Sequence, residues 1–256
     1  MRLWGKIKGT NSDYFVAEGT LEGGEAAEEG AGEAAEARGT GVNKFVYWVA
    51  NSPLAEWTQL PDIKPSDIIN SRGIKHSFSG DVNAKIFTNP FYFDKESLYL
   101  RCQIARISQS TTLVPKGLMK FVDETGEREI EPNVGEEDAP VQKPTTQAMC
   151  SLDMWLHTLP SILKQGRVKH ARGEPIEEGE EEESIQKREV TKDPWEPMLK
   201  SVTKDAKTRG GMPAWILRSH NMKSTSQDAR PGKPVQCYGC VVVKSLWWPG
   251  AMSLYN

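Results

Sequence analysis

Four cysteines and four histidines are the side chains of this sequence best suited to nucleophilic or metal chemistry. Cys237 and Cys240 form a CxxC pair, which is typical of half a zinc ribbon or of a redox-active dithiol. A structural zinc site needs four ligands, and no second CxxC or paired histidine follows in the sequence. Residues three apart in an extended strand also point to opposite faces, which opposes chelation. The pattern therefore favours buried or idle thiols over a metal site.

Cys150 and His157 combine a nucleophile with a base, the pairing that covalent catalysis requires. The pattern of Leu152, Trp155 and nearby leucines predicts one short helix here, ended by a proline. Seven residues along a helix is roughly 10 Å, whereas a nucleophile and its base need about 3 Å. The other histidines, His76, His170 and His220, have no carboxylate or cysteine at motif spacing and are expected on the surface or in loops.

Phosphate-binding chemistry is also missing from the sequence, because no glycine-rich loop occurs in a strand-turn-helix context. We therefore predict that the protein is not an enzyme. We predict no catalytic, cofactor-binding or metal-binding residues, and no cofactor.

Composition narrows the class further. The chain has 256 residues and a net charge of -3, which argues against a nucleic-acid partner because such proteins carry a basic footprint. No stretch approaches the roughly 20 apolar residues that cross a bilayer, and no signal peptide is recognisable after Met1. Sparse cysteines suit a reducing compartment, so a cytoplasmic location is expected. Eight tryptophans predict a core or partner surface with a large aromatic area.

Strands dominate the elements expected to position these residues. Residues 2–18 predict a β-hairpin and Val42 to Val49 a further strand, because apolar and polar side chains alternate. A short helix is expected from Pro65. A longer one is expected over residues 95–109, where Leu100, Ile104 and Ile107 form one stripe with Arg101 and Arg106 outside it. Residues 112–122 predict a hairpin around Pro115 to Gly117. The fold class expected is α+β: a β-rich single domain over residues 1–256 with a few short helices and long acidic disordered insertions.

The acidic insertions are expected at residues 19–41 and 173–184, and residues 123–147 are expected to be a loop. Both acidic tracts are rich in glutamate and lack the apolar residues that would offset the cost of ordering the backbone. We predict that they are flexible and face solvent. They are either passive insertions or a negative charge that biases contact with a partner.

A series of short strings along the chain resembles the radial spoke head family, specifically its paired subunits numbered four and six. The strongest match is Tyr99 to Ser108, with the sequence YLRCQIARIS. The remaining strings follow in the family's order at residues 3–7, 13–19, 41–49, 51–53, 57–61, 78–81, 155–157, 162–167 and 244–251.

This resemblance implies a structural subunit of the radial spoke head in the axoneme of cilia or flagella, part of the cytoskeleton. Such a subunit contributes to spoke assembly and relays contact with the central pair to the dynein arms for cilium movement. The implied partners are a paralogous four/six-type subunit, the nine-type subunit, MORN-repeat subunits, spoke stalk proteins and the central pair apparatus. A homodimer or heterodimer is expected, with no nucleic acid and no membrane.

Family members usually continue beyond both ends of this sequence, so we expect a chain truncated relative to the family. It is either a natural short member or an incomplete gene model. Two alternatives stay open. One is a subunit like the paralogue numbered nine, which shares the opening hairpin but normally lacks the Tyr99 to Ser108 string. The other is a cytosolic thiol- or metal-binding protein that uses Cys237 and Cys240.

Overall fold

The opening hairpin forms as the alternation predicts. In the computed structural model, β1 (Arg2–Ile7) pairs antiparallel with β2 (Tyr14–Gly19), and the register shifts by one residue between Leu3 and Gly5. Asp13 holds the turn, because its carboxylate accepts the Gly9 N–H at 3.1 Å and lies 2.7 Å from the Lys6 ammonium. The structure describes residues 1–20, 36–122, 129–134, 141, 143–168, 199–223 and 237–256.

The described chain divides into two compact units, each made of two segments of sequence. The first comprises residues 1–106 and 161–195, and the second comprises residues 107–160 and 196–256. The α+β, β-rich fold class is confirmed, since the described ranges contain eleven strands and two α-helices. The domain boundaries 1–256 stay a prediction.

The first unit is built on a four-stranded antiparallel sheet in the order β1-β2-β3-β4. Its third and fourth strands are β3 (Val46–Ala50) and β4 (Thr58–Gln59). Helix α1 (Pro65–Gly73) begins with proline at its first position, as expected, and the Asp67 carboxylate accepts the Lys64 N–H at 2.8 Å. The predicted Val42-to-Val49 strand is shorter than expected because a 3₁₀ turn occupies Gly41–Asn43.

Helix α2 (Glu96–Thr111) contains the predicted apolar stripe. Leu100 and Ile104 are fully buried and pack with the sheet residues Tyr14, Val16 and Val49 in one core cluster. The other side of the helix is not a polar face. Arg101, Cys102 and Ala105 are buried as well. Arg101 is not a member of the cluster that Leu100 and Ile104 form, so it lies outside the stripe as predicted, although its side chain is buried.

The second unit carries a three-stranded antiparallel sheet in the order β11-β10-β9. Its strands are β9 (Trp215–Lys223), β10 (Cys237–Ser245) and β11 (Met252–Tyr255). Two two-stranded pairs accompany it: β5 (Leu113–Pro115) with β8 (Trp155–His157), and β6 (Met119–Val122) with β7 (Glu129–Pro132). The core of this unit is centred on Met149, Trp155, Val202, Ala214, Trp215, Val241 and Val243.

Three local predictions need correction in the second unit. Residues 112–122 do not form one hairpin, because β5 pairs with β8 and β6 with β7. The helix expected around Leu152 is a 3₁₀ turn (Leu152–Met154) followed by the strand β8, since β5 offers Trp155–His157 an antiparallel partner. The loop expected at 123–147 contains the strand β7.

The acidic insertions have narrower bounds than expected where the structure describes them. Gly19 ends β2, and residues 36–41 are folded rather than flexible. The Glu36 carboxylate accepts the N–H groups of Val42 and Val168, each at 2.9 Å, and these bonds fix that end of the tract. Residues 21–35 lie outside the described residues, as does the whole insertion predicted at 173–184.

Candidate interaction surfaces and the clusters that hold them

Cys150 and His157 are not brought together as a nucleophile and its base. The Cys150 thiol is exposed and donates to the Thr146 carbonyl at 3.3 Å. His157 is buried, and its Nε2 lies 2.9 Å from Asp205 Oδ2. The geometry therefore assigns His157 a structural contact with a carboxylate.

Cys237 and Cys240 lie on β10, which runs without interruption from Cys237 to Ser245 against β9. A continuous strand offers no turn at which the CxxC pair could converge on one ion. Across the described residues, no group of three or more potential ligands is placed to hold a metal ion. The absence of a metal site stays a prediction.

Two of the remaining histidines fall within the described residues. His220 is exposed on β9, as expected. His76 is a loop residue, but its Nε2 lies 3.5 Å from the buried Glu96 carboxylate. His170 lies outside the described residues.

Glu96 is the centre of a buried hydrogen-bond cluster that the sequence reasoning missed. Its carboxylate is completely buried and accepts bonds from the Tyr14 hydroxyl at 2.7 Å, the Ser79 N–H at 2.9 Å and the Gly80 N–H at 3.1 Å. The Ser79 hydroxyl donates to its second oxygen at 2.9 Å. This one side chain therefore ties together strand β2, the loop at residues 78–80 and the first turn of α2.

The electrostatics of the cluster favour an ionised carboxylate. Burial opposes ionisation of Glu96, but the hydrogen bonds from Ser79, Tyr14 and Gly80 outweigh it and hold the pKa of Glu96 below its ordinary value. Burial and the Glu96 carboxylate both raise the pKa of Tyr14, so its hydroxyl stays a donor. Gly80 has a φ of +98°, and a side chain there would collide with Ser12.

A second cluster surrounds Arg101. Its guanidinium lies over the Tyr47 ring at 4.6 Å and donates to the Val42 carbonyl at 2.8 Å. Burial lowers the pKa of Arg101. The Tyr47 hydroxyl in turn donates to the buried Glu18 carboxylate at 2.9 Å. The Arg2 guanidinium forms an ion pair with the same carboxylate at 2.6 Å. Arg101 belongs to the string that most resembles the family, and that was the one signal for it in the sequence.

In the second unit, Asp205 fixes two aromatic rings. Its Oδ2 accepts the Trp215 indole N–H at 2.7 Å and lies 2.9 Å from His157 Nε2. Burial raises the pKa of Asp205, but the bonds from His157 and Trp215 outweigh it and lower the pKa overall. The three clusters use most of their polar groups to hold the fold, although Nη1 of Arg101 is buried without a hydrogen-bond partner.

The clearest exposed feature of the first unit is a loop rich in phenylalanine, residues 84–94, which we call the aromatic loop. Phe87, Phe91 and Phe93 are exposed to 79%, 59% and 88%. The Phe91 and Phe93 rings meet edge to face with their centroids 4.7 Å apart. Between them Tyr92 is buried against Tyr99 of α2. Exposed aromatic side chains held in one place are typical of a surface that a partner covers.

The base of the aromatic loop is anchored to α2. The carbonyls of Ala84 and Val82 accept the Glu96 and Ser97 N–H groups at 2.9 and 3.0 Å, and these bonds satisfy two of the free donors at the helix N-terminus. Ile86 is fully buried below the exposed rings. The loop therefore has a fixed conformation at its base and presents its rings to solvent.

Comparison with known proteins identifies radial spoke proteins as relatives of this chain. The chain is 33% identical over 98% of its length to flagellar radial spoke protein 4 of Chlamydomonas reinhardtii, and covers 54% of that protein. It is 31% identical to human radial spoke head protein 6 homolog A, over 98% of the chain and 40% of the relative. It is also 31% identical to human radial spoke head protein 4 homolog A, over 100% of the chain and 40% of the relative.

The chain thus spans about half the length, or less, of the curated relatives it matches. No helix in the described part of the chain is both long and apolar enough to cross a membrane. A family model described as radial spokehead-like protein matches residues 32–256, which include α1, α2 and the three-stranded sheet. This chain belongs to the radial spokehead-like protein family.

Proposed function

We propose that the chain is a non-catalytic structural subunit of the radial spoke head in the axoneme of cilia or flagella. The observation that carries this proposal is the family match over residues 32–256, with 33% identity to a flagellar spoke protein over 98% of the chain. The clusters around Glu96, Arg101 and Asp205 support the proposal, because their buried charged groups form hydrogen bonds that hold loops and helices in place.

In this role the chain contributes to spoke assembly and helps to relay central-pair contact to the dynein arms. Its partners are a paralogous four- or six-type subunit, a nine-type subunit, MORN-repeat subunits and spoke stalk proteins, and it forms a homodimer or a heterodimer. The relatives reported above are four- and six-type subunits, which favours this role over that of a nine-type subunit. The aromatic loop supplies a surface suited to such contacts.

Incorporation into flagella tests the proposal. The tagged chain is expressed in Chlamydomonas reinhardtii cells that lack flagellar radial spoke protein 4, and isolated axonemes are assayed for the tag and for beating. We expect the tag in the spoke fraction and a partial recovery of motility. A chain that folds but stays in the cell body would refute the proposal.

A matched pair of variants tests the aromatic loop. Replacing Phe87, Phe91 and Phe93 by serine removes the exposed rings, and we expect incorporation to fall while the free protein stays folded. Leu54, exposed to 98% in a different turn, is the control: Leu54→Ser should leave incorporation unchanged. Equal incorporation of both variants would exclude the loop as an assembly contact.

A further inference from the structure

The sheet β11-β10-β9 has an outer face whose side chains are fixed by the strand register. Ile216, Lys244 and Met252 are aligned in one row across the three strands. In the next row, Arg218, Val242 and Leu254 are aligned in the same way. We call these six residues the outer face.

The opposite face of the same sheet is covered. Val241 and Val243 of β10 are buried, and they pack with Trp215 and Tyr255 in the core of the second unit. On the outer face, by contrast, Met252 and Leu254 are exposed to 64% and 62%. A sheet with apolar side chains on both faces is stable when each face is covered by another layer. The outer face therefore has the composition of a covered surface.

The charged side chains of the outer face are all positive. Arg218 and Lys244 are exposed between the apolar residues, and the three strands contain no aspartate or glutamate. The chain as a whole has a net charge of -3, so this concentration of positive charge is local. Charge complementarity selects a partner with carboxylates beside its apolar side chains.

We infer that the outer face docks an acidic amphipathic segment of another protein subunit, an inference that rests on the proposed structural role. The apolar side chains of the segment pack on Met252, Leu254 and Val242, and its carboxylates pair with Arg218 and Lys244. A symmetric contact between two copies of the outer face does not fit, because it would oppose like charges. Nucleic acid does not fit either. Binding to a phosphate backbone needs many basic side chains, whereas this face has two beside apolar residues.

Binding of synthetic peptides to the full purified chain tests this inference. The probe is a fluorescent helical peptide with a leucine stripe flanked by glutamates, and its control has the same leucine stripe flanked by lysines. Fluorescence anisotropy should show that the glutamate peptide binds at least about 10-fold more tightly at low salt, and that added salt reduces the difference. Equal affinity for the two peptides would overturn the inference.

Paired charge reversals locate the site. The double variant Arg218→Glu with Lys244→Glu should weaken binding of the glutamate peptide about 10-fold or more. Lys204→Glu with Lys207→Glu makes the same change in net charge at exposed positions of the same unit and should leave the affinity unchanged. Met252→Ser with Leu254→Ser should also weaken binding. Circular dichroism and thermal unfolding establish that each variant is folded. Equal effects of the two charge reversals would refute a specific site.

The same variants separate this inference from the proposed function in flagella. If the unmodified chain enters spoke heads and the Arg218→Glu, Lys244→Glu variant does not, both are supported. If both forms enter equally, the outer face is not a docking surface, although the structural role stands. If a folded, unmodified chain fails to enter, the proposed function is refuted, and the peptide titration alone decides the binding chemistry of the face.

Discussion

Replacing Glu96 by glutamine is the sharpest test of how the first unit is held together. Glutamine has nearly the shape of glutamate, so the change removes a charge and one acceptor without opening a cavity. Three donors, the Tyr14 hydroxyl and the N–H groups of Ser79 and Gly80, would then bond to a neutral oxygen. A hydrogen bond to a charged group is worth about 1 kcal/mol more than one between neutral groups. Because glutamine also avoids the cost of burying a charge, the net loss is smaller than this sum, and the expected loss in the free energy of unfolding is about 1–3 kcal/mol.

The pH dependence of this loss provides an independent check. The hydrogen bonds lower the pKa of Glu96 in the folded state below its ordinary value of 4.5. The stability that the ionised group contributes is therefore fully present above that value and is lost as the pH falls through the folded-state pKa. The native protein and Glu96→Gln should differ at pH 7 and converge under acid, since protonated Glu96 resembles glutamine.

Urea unfolding followed by tryptophan fluorescence measures the difference. Glu56→Gln is the control, because Glu56 is exposed and its replacement should change the free energy of unfolding by less than about 0.5 kcal/mol. A Glu96→Gln loss as small as that of the control, or a loss that is the same at pH 7 and pH 3, would refute the view that an ionised Glu96 joins helix, loop and strand.

Three further predictions concern buried side chains and the hydrogen bonds of Glu36. Ile104→Ala should lower the free energy of unfolding by about 2–5 kcal/mol because Ile104 is completely buried; a loss under about 0.5 kcal/mol would place α2 at the surface. A thiol reagent at pH 8 should label Cys150 at once and Cys102 on unfolding alone, because burial raises the pKa of Cys102 to about 12; equal rates would contradict its burial. Deleting residues 22–34 should leave stability almost unchanged, whereas Glu36→Ala should cost about 1–3 kcal/mol through two lost backbone contacts; equal effects of the two changes would refute the anchoring role of Glu36.

Local patterns in the sequence predicted the elements that are stabilised by contacts between residues close together in the chain. The hairpin β1-β2 follows from alternation and turn residues, and α1 follows from Pro65 at its start. The stripe of Leu100 and Ile104 predicted one buried face of α2. In each case the side chains that decide the structure lie within a few residues of one another, so the sequence contains the relevant information.

Long-range partners account for what the sequence could not predict. Arg101 was predicted only to lie outside the apolar stripe, and its burial could not be foreseen because arginine is seldom buried. Its acceptor, the Val42 carbonyl, lies 59 positions away in the chain. Glu96 likewise meets Tyr14 across 82 positions. The pairing of β5 with β8 instead of β6 depends on a strand more than 30 residues downstream. No periodicity within one segment reports such contacts.

The anchoring of the aromatic loop has a mechanical consequence. The carbonyls of Val82 and Ala84 accept hydrogen bonds from the first turn of α2. Glu96 in that turn accepts hydrogen bonds from Ser79 and Gly80. We therefore expect a force on the exposed phenylalanines to be transmitted to the helix through backbone hydrogen bonds of roughly 3 Å. We expect a surface anchored in this way to transmit a displacement to α2, whereas a loop without these hydrogen bonds would absorb it.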